Sequence, residues 1–248
     1  MRAIIKDLQT FKLAGMSNSF EDRVAYASNN KLSYNEFMSL LCEDERNNRQ
    51  DNNYRRRKNT AKLPVIKQLE DFDFSFQPSI DQRMINDLST CNFIRSKGNV
   101  IFIGASGTGK SHLSISLALK ALLKGHSVYF TTTSDMLFML HSAKADNSYH
   151  KKLKLLVNYD LLVIDELGFK QLPKYSTDDF FNVISKRYEQ KSTIITTNKE
   201  IGDWDDIFDE PVLTRAIVDR LLHHAVIFNI KGNSYRMKKN KKEEEKMA

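Results

Sequence analysis

The chain is short of the residues that cross-link or punctuate small proteins. It has two cysteines, four prolines, one tryptophan and nine glycines among 248 residues. Cys42 and Cys91 lie far apart, with no CxxC pair and no cysteine–histidine cluster. That argues against a disulfide framework and against a zinc site. No stretch approaches the run of about 18 apolar residues that crosses a bilayer. Residues 1–10 already mix polar and apolar side chains, so no signal peptide is expected and the simplest location is a reducing cytoplasm. No internal repeat is visible. Acidic charge is also in deficit, with 31 Asp and Glu against 38 Lys and Arg, a net charge of +7. A basic balance favours a polyanionic partner, either nucleic acid or an anionic surface. The hydrophobic fraction of 41% is enough for a core, and the length suits one α/β domain with an appendage or two small domains.

The first 63 residues read as a helical domain. "SFED" (Ser19 to Asp22) and "SYNE" (Ser33 to Glu36) both match a capped helix start. The stretch from Glu45 to Lys62 is then almost free of apolar residues and carries Arg46, Arg49, Arg55, Arg56, Arg57 and Lys58. It is either a solvated helix face or linker, or an arm that contacts DNA phosphates. Pro64 marks a boundary. Residues 64–236 alternate between strand and helix patterns. The strands are "NVIFIG", "SVYFTTT", "YDLLVIDE", "STIITTN" and "AVIFNI", and between them lie helices starting near Lys110, at Ser134 or Asp135, at Ser176 and at Pro211. Continuous apolar strands alternating with helices imply a parallel sheet covered on both faces. Residues 237–248 read as a charged, disordered tail.

"GASGTGKSH", Gly104, Ala105, Ser106, Gly107, Thr108, Gly109, Lys110, Ser111 and His112, fits G-x-x-x-x-G-K-[ST] between a strand and a helix. Glycines let backbone N–H groups wrap a phosphate, Lys110 brings a charge to the β- and γ-phosphates, and Ser111 offers a hydroxyl to Mg²⁺. "LLVIDE" ends in Asp165, suited to the Mg²⁺ shell, and Glu166, suited to polarising an attacking water. A guanine reader would need N-K-x-D, and after Asn198 and Lys199 the place of the Asp is taken by Ile201. ATP is therefore the expected nucleotide. Asn198, at a strand end, can orient water or simply form a turn. Arg220, before the last strand, can act as a trans-acting finger on a neighbouring subunit's phosphate or be a surface arginine. His223 and His224 suit packing or surface roles better than metal binding.

Together, "GASGTGKSHL", "LLVIDELG", "RYEQKSTIITTN" and "AIVDRLLHHAVIFNIKGNSYR" resemble the IstB-like family of AAA+ ATPases, the helpers of insertion-sequence transposases. "LQTFKLAGM" and "AKLPVIKQLEDFDFSF" extend the resemblance over nearly the whole chain. It implies an α/β P-loop NTPase of the AAA+ type, a three-layer sandwich around a parallel sheet, preceded by a small all-α N-terminal domain. It also implies that Lys110 and Ser111 belong to Walker A, Asp165 and Glu166 to Walker B, Asn198 to sensor 1, and that Arg220 is the arginine finger. The implied activity is Mg²⁺-dependent ATP hydrolysis by a homo-oligomer assembled on double-stranded DNA, which serves a cognate transposase. Arg187, Arg215 and Arg236 are left without a role. The short stretch after the last strand leaves no room for a full C-terminal lid, so ATP is expected to lean on neighbouring subunits. A replicative helicase loader of the related type is the alternative. A nucleotide-switched binding module with little turnover is a third reading, against which Glu166 speaks.

Overall fold

A computed structural model of the protein describes residues 1–169, 172 and 176–237. The charged tail expected at 237–248 lies outside these residues except for Met237, which is exposed. Packing divides the chain into two units, Met1–Arg57 and a second that begins at Lys58.

The first unit holds α1 (Arg2–Thr10), α2 (Ala14–Asn29) and most of α3, which runs from Tyr34 to Thr60. "SYNE" is a capping box: the Ser33 hydroxyl accepts the Glu36 N–H at 3.3 Å, and the Glu36 carboxylate accepts the Ser33 N–H at 2.8 Å. "SFED" starts nothing. Ser19 lies inside α2, and its hydroxyl donates back to the Gly15 carbonyl at 3.1 Å. The helix has already begun at Ala14, so the N–H groups near Ser19 are paired along the helix and leave nothing to cap. The real start of α2 is capped from another helix. Glu45 on α3 accepts the Gly15 and Met16 N–H groups at 2.7 and 3.3 Å, and its other oxygen takes Arg49 at 2.6 Å. A carboxylate at a helix N-terminus meets both orphan donors and the positive end of the dipole. The crossing requires glycine, because a Cβ on Gly15 would sit 2.5 Å from the Glu45 Cα. The arginine-rich stretch, for which the sequence left helix and linker open, is helical as far as Thr60.

The second unit is built on five parallel strands in the order β2-β3-β4-β1-β5. They are β1 (Asn99–Gly104), β2 (Val128–Thr132), β3 (Leu161–Leu167), β4 (Ser192–Thr197) and β5 (Ala225–Ile230). The helices are α4 (Gln82–Ser89), α5 (Asn92–Arg95), α6 (Lys110–Leu123), α7 (Thr133–Ala145), α8 (Tyr149–Asn158), α9 (Ser176–Arg187) and α10 (Pro211–Leu222), with a 3₁₀ turn at Ile201–Asp206. Ile101, Ile103, Leu162, Ile164 and Ile195 face one side of the sheet and pack with Leu140, Leu156, Phe180, Trp204 and Ile217. Alternate strand residues point the other way, where α6 lies along β1, β3 and β4. With both faces covered, β1 and β3 read as nearly unbroken apolar runs, whereas edge strand β5 leaves Ile227 and Asn229 exposed.

Three elements depart from the sequence reading. α4 and α5 precede β1, and α8 lies between α7 and β3. Each is short, and none showed as a pattern of its own. The start of α7 is capped neither by Ser134 nor by Asp135. Instead the hydroxyl of Thr132, the last residue of β2, accepts the Asp135 N–H at 3.1 Å. Arg187 turns out to be structural. It is 1% exposed. Its guanidinium donates to the Leu156 and Tyr159 carbonyls at 2.7 and 2.9 Å, to the Ser192 carbonyl, and to the Thr193 hydroxyl at 3.1 Å. Burial pulls its pKa down to about 9, which leaves the cation charged at neutral pH and holding the end of α8 to the start of β4.

The buried Glu45 gives a pH prediction. Burial pushes its pKa up, but the hydrogen bonds from Arg49, Met16 and Gly15 outweigh burial and hold it below the usual range. A carboxylate depressed in the folded state contributes stability above its unfolded pKa and loses it as pH falls through the folded value. Far-UV circular dichroism on acidification should therefore show a loss of helix, and Glu45→Gln should remove that pH-dependent step while lowering stability at neutral pH.

Candidate nucleotide site

The carboxyl ends of β1, β3 and β4 carry the residues singled out by motif. From β1 the chain turns through the loop Gly104–Gly109 into α6. Gly107 and Gly109 have φ of +81° and +99°, a region that side chains rarely enter. The loop also has no room for side chains at its glycines. A Cβ on Gly109 would lie 2.5 Å from the Phe72 ring, and one on Gly107 would strike Ser234. Thr108 ties the loop by donating to the Ala105 carbonyl at 2.8 Å. Lys110 Nζ donates to the Gly104 and Ala105 carbonyls at 2.6 and 2.8 Å. Partial burial lowers the Lys110 pKa, opposed by the nearby Asp165 carboxylate. A partly desolvated cation where a glycine-rich loop enters a helix N-terminus is suited to phosphate.

Asp165 is 7% exposed, and its Oδ1 accepts the Ser111 hydroxyl at 2.9 Å and the Thr196 hydroxyl as well. Glu166, the next residue, is exposed toward the same cavity and has φ +63°. The ladder between β3 and β4 slips here. Ile164 is opposite Ile195 and Leu167 opposite Thr197, so Asp165 and Glu166 together face Thr196. This is a β-bulge, which re-aims side chains. Asn198 follows β4 and lines the same cavity.

That cavity, about 320 Å³, is lined on one side by Ser106 to His112, Glu166 and Asn198. The other side comes from two segments that the motifs did not flag. One is the strap before α4, carrying Phe72, Phe76 and Gln77. The other follows β5 and carries Tyr235 and Arg236. The strap is anchored along α6. His112 Nε2 lies 2.7 Å from the Gln68 carbonyl, the Ser116 hydroxyl donates to the Lys67 carbonyl at 3.0 Å, and Lys120 pairs with Glu70 at 2.6 Å. The segment after β5 crosses the loop, where the Tyr235 N–H donates to the Gly107 carbonyl at 3.0 Å and Gln77 donates to the Asn233 carbonyl at 3.0 Å. Phe72 meets His112 edge-on with centroids 5.3 Å apart, and Phe76 meets Tyr235 in the same way at 5.3 Å. An aromatic-walled space beside a phosphate loop is the shape a purine nucleotide fits. The alternating phenylalanines of "DFDFSF" were the available signal. For Ser111 and Asp165 the oxygen donors are of the kind Mg²⁺ takes.

Other sequence candidates lie elsewhere. Arg220 does not line the cavity. Its guanidinium donates to the Ala216 carbonyl at 2.8 Å and lies 5.1 Å from the Phe181 ring centroid. His223 and His224 are at the surface with centroids 4.0 Å apart, and His223 Nδ1 is 2.8 Å from the Tyr188 hydroxyl. On α3, Arg46, Arg49, Arg55 and Arg56 are exposed and Arg57 is half-buried. At 3.6 residues per turn, Arg46, Arg49, Arg56 and Arg57 fall within about one third of the helix circumference, with Arg55 on the opposite side. Lys58 opens the second unit.

A family profile described as "IstB-like ATP binding protein" matches residues 6–243. The chain belongs to the IstB-like ATP-binding protein family. Across 231 residues it is 40% identical to a protein of Geobacillus stearothermophilus named "Insertion sequence IS5376 putative ATP-binding protein", covering 93% of this chain and 92% of that one. A relative from Pseudomonas aeruginosa, named in the same way for insertion sequence IS21, is 37% identical over 95% of this chain and 89% of its own length. Among solved structures, the DnaC helicase loader matches with a TM-score of 0.53 and 24% identity, covering 71% of this chain and 99% of that one. DnaA from Aquifex aeolicus bound to AMPPCP matches with a TM-score of 0.56 and 19% identity, covering 75% of this chain and 56% of that one. These likenesses show the AAA+ P-loop fold in this IstB-like protein.

Gly107 offers a direct test of the nucleotide cavity. Gly107→Ala puts a Cβ into Ser234 at a positive φ, so affinity for a fluorescent ATP analogue should fall at least about tenfold. Unchanged affinity would mean that the nucleotide does not use this loop.

Proposed function

We propose that the protein is the ATP-hydrolysing helper of an insertion-sequence transposase. In this reading it assembles on double-stranded DNA in an ATP-dependent manner and recruits or activates the transposase. The observation that carries the enzymatic part is Glu166, presented by a bulge to the cavity that the phosphate loop opens into. The insertion-sequence names of relatives along nearly the full chain support the biological part.

Each residue then has a task. The Gly104–Gly109 loop and Lys110 hold the β- and γ-phosphates. Ser111 and Asp165 would hold Mg²⁺, which supplies charge neutralisation at the phosphates when bound. Glu166 accepts a proton from a water aimed at the γ-phosphorus, and Asn198 orients that water. Phe72, Phe76 and Tyr235 wall the base, and Arg236 adds positive charge near Lys110, whose pKa it helps lower. Arg220, away from its own chain's cavity, serves a neighbouring subunit's γ-phosphate, so that activity belongs to a homo-oligomer. Arg46, Arg49, Arg56 and Arg57, on one side of α3, contact DNA phosphates.

Glu166→Gln should bind ATP with near wild-type affinity and lose turnover by about 10²–10⁴-fold. Equal turnover in a phosphate-release assay would remove Glu166 from the chemistry. Assembly should be followed by light scattering with duplex and single-stranded DNA, with and without ATP. ATP-dependent assembly on duplex supports the transposition helper. Stimulation by single strands alone would shift the assignment to a helicase loader.

The α3 arginines make a separate prediction. With about four phosphate contacts, log affinity for duplex should fall against log salt with a slope near −3.6. Neutralising Arg46, Arg49, Arg56 and Arg57 should flatten the slope and weaken all sequences alike, and Arg55→Ala should change it little. A loss confined to one DNA sequence would mean base readout instead.

A further inference from the structure

We propose that Thr196 is a positioning residue for hydrolysis. The two Walker B acids differ in their needs. Asp165 must hold its carboxylate still beside Ser111, while Glu166 must leave the ladder and face the cavity. In a regular parallel sheet the Glu166 N–H would pair with a carbonyl of β4. The bulge breaks that pairing, because Asp165 and Glu166 share Thr196 as their opposite residue. A buried N–H without a partner is costly. The Thr196 hydroxyl takes it, accepting the Glu166 N–H at 3.0 Å. Its own proton goes to Asp165 Oδ1.

One hydroxyl therefore serves both acids, with a fixed sense. It has a single proton, which the carboxylate takes, and a lone pair remains for the backbone of the next residue. Thr196 is 1% exposed, so water does not replace it. Glu166 meanwhile sits at φ +63°, a conformation that a non-glycine residue keeps only when its surroundings hold it there. The Thr196 hydroxyl holds that peptide by its N–H, and the Thr133 hydroxyl donates to its Asp165 carbonyl at 3.1 Å from the other side of the strand's end. Thr193, by contrast, uses its hydroxyl to accept from buried Arg187, so not every threonine of β4 has this role. Neither Thr196 nor its partnership follows from the motifs, which name the acids and not what fixes them.

The inference rests on the reading of Glu166 as the group that activates water, and the test separates the two. Thr196→Val keeps the shape and removes the hydroxyl; Thr196→Ser keeps the hydroxyl. Turnover should fall on the order of tenfold to hundredfold in Thr196→Val, with affinity for a fluorescent ATP analogue within about threefold of wild type, and Thr196→Ser should recover most of the rate. Amide hydrogen exchange of Glu166, read by NMR without nucleotide, should speed up in Thr196→Val and not in Thr196→Ser. Wild-type turnover in a cooperatively folded Thr196→Val would overturn the proposal. So would a rate loss matched by equal loss of affinity, or a Glu166 amide that exchanges as in wild type. If the wild-type protein itself hydrolyses no ATP, the hydrolytic reading fails, and with it the positioning role of Thr196 in turnover. The exchange measurement would then still report whether the hydroxyl holds the bulge. Should Thr196→Val not fold, Thr196→Ala carries the same comparison.

Discussion

A single carboxylate joins the parts of the nucleotide site. Asp165 lies at the end of β3, almost buried, and receives hydroxyls from the first turn of α6 and from β4. Those contacts bring the helix after the phosphate loop, the acid pair and the next strand into one arrangement. Burial of an unpaired carboxylate would be costly, so the hydroxyls are a condition of the fold as well as of the site. The bulge at Asp165 and Glu166 follows from the same geometry. One acid stays in the sheet with its donors, and its neighbour is turned out into the cavity.

The phosphate loop is closed in on both sides by chain that belongs to neither the loop nor the acids. The strap with Phe72 and the segment with Ser234 and Tyr235 approach Gly109 and Gly107 so closely that any Cβ there would collide. The glycines are therefore needed twice, once to take the positive φ of the loop and once to admit these two segments. The strap owes its position to α6, whose His112, Ser116 and Lys120 each hold it. The helix that follows the glycine-rich loop thus also places the aromatic side of the cavity.

The helical first unit follows a different economy. Its helices expose most of their length, and α3 is dominated by polar residues. α2 meets α3 through Phe20 edge-on to Phe37, with centroids 6.1 Å apart, and through Glu45 at the start of α2, with Arg23 and Asp44 paired at 2.7 Å nearby. "LAGM" owes its glycine to that crossing. Such a unit can carry a long, strongly basic helix face, because its charges need not be buried to form it.

Much of the fold was legible from residue order, as was which residues fit the motifs of a nucleotide site. Apolar runs marked the five strands, one of them ending in glycine and one in paired acids, and β1 and β5 were read to the residue. The P-loop and the acid pair are local patterns, since loop, lysine and serine must follow one another to wrap a phosphate. Short helices such as α4, α5 and α8 left no comparable period, and "SFED" misled because a cap signal says nothing of whether the helix has already begun. Contacts between residues distant in sequence came only from the packing of the folded chain. These are Thr196 beneath Glu166, Tyr235 across Gly107, Phe72 over Gly109, Glu45 at the start of α2, and Arg187 among the carbonyls of α8 and β4. The sequence by itself determined which groups could do chemistry, because that depends on side-chain type and near-neighbour spacing. Which hydroxyl, ring or carboxylate would stand beside them was set by the packing of strands and helices, which brings together residues that no short stretch of sequence contains.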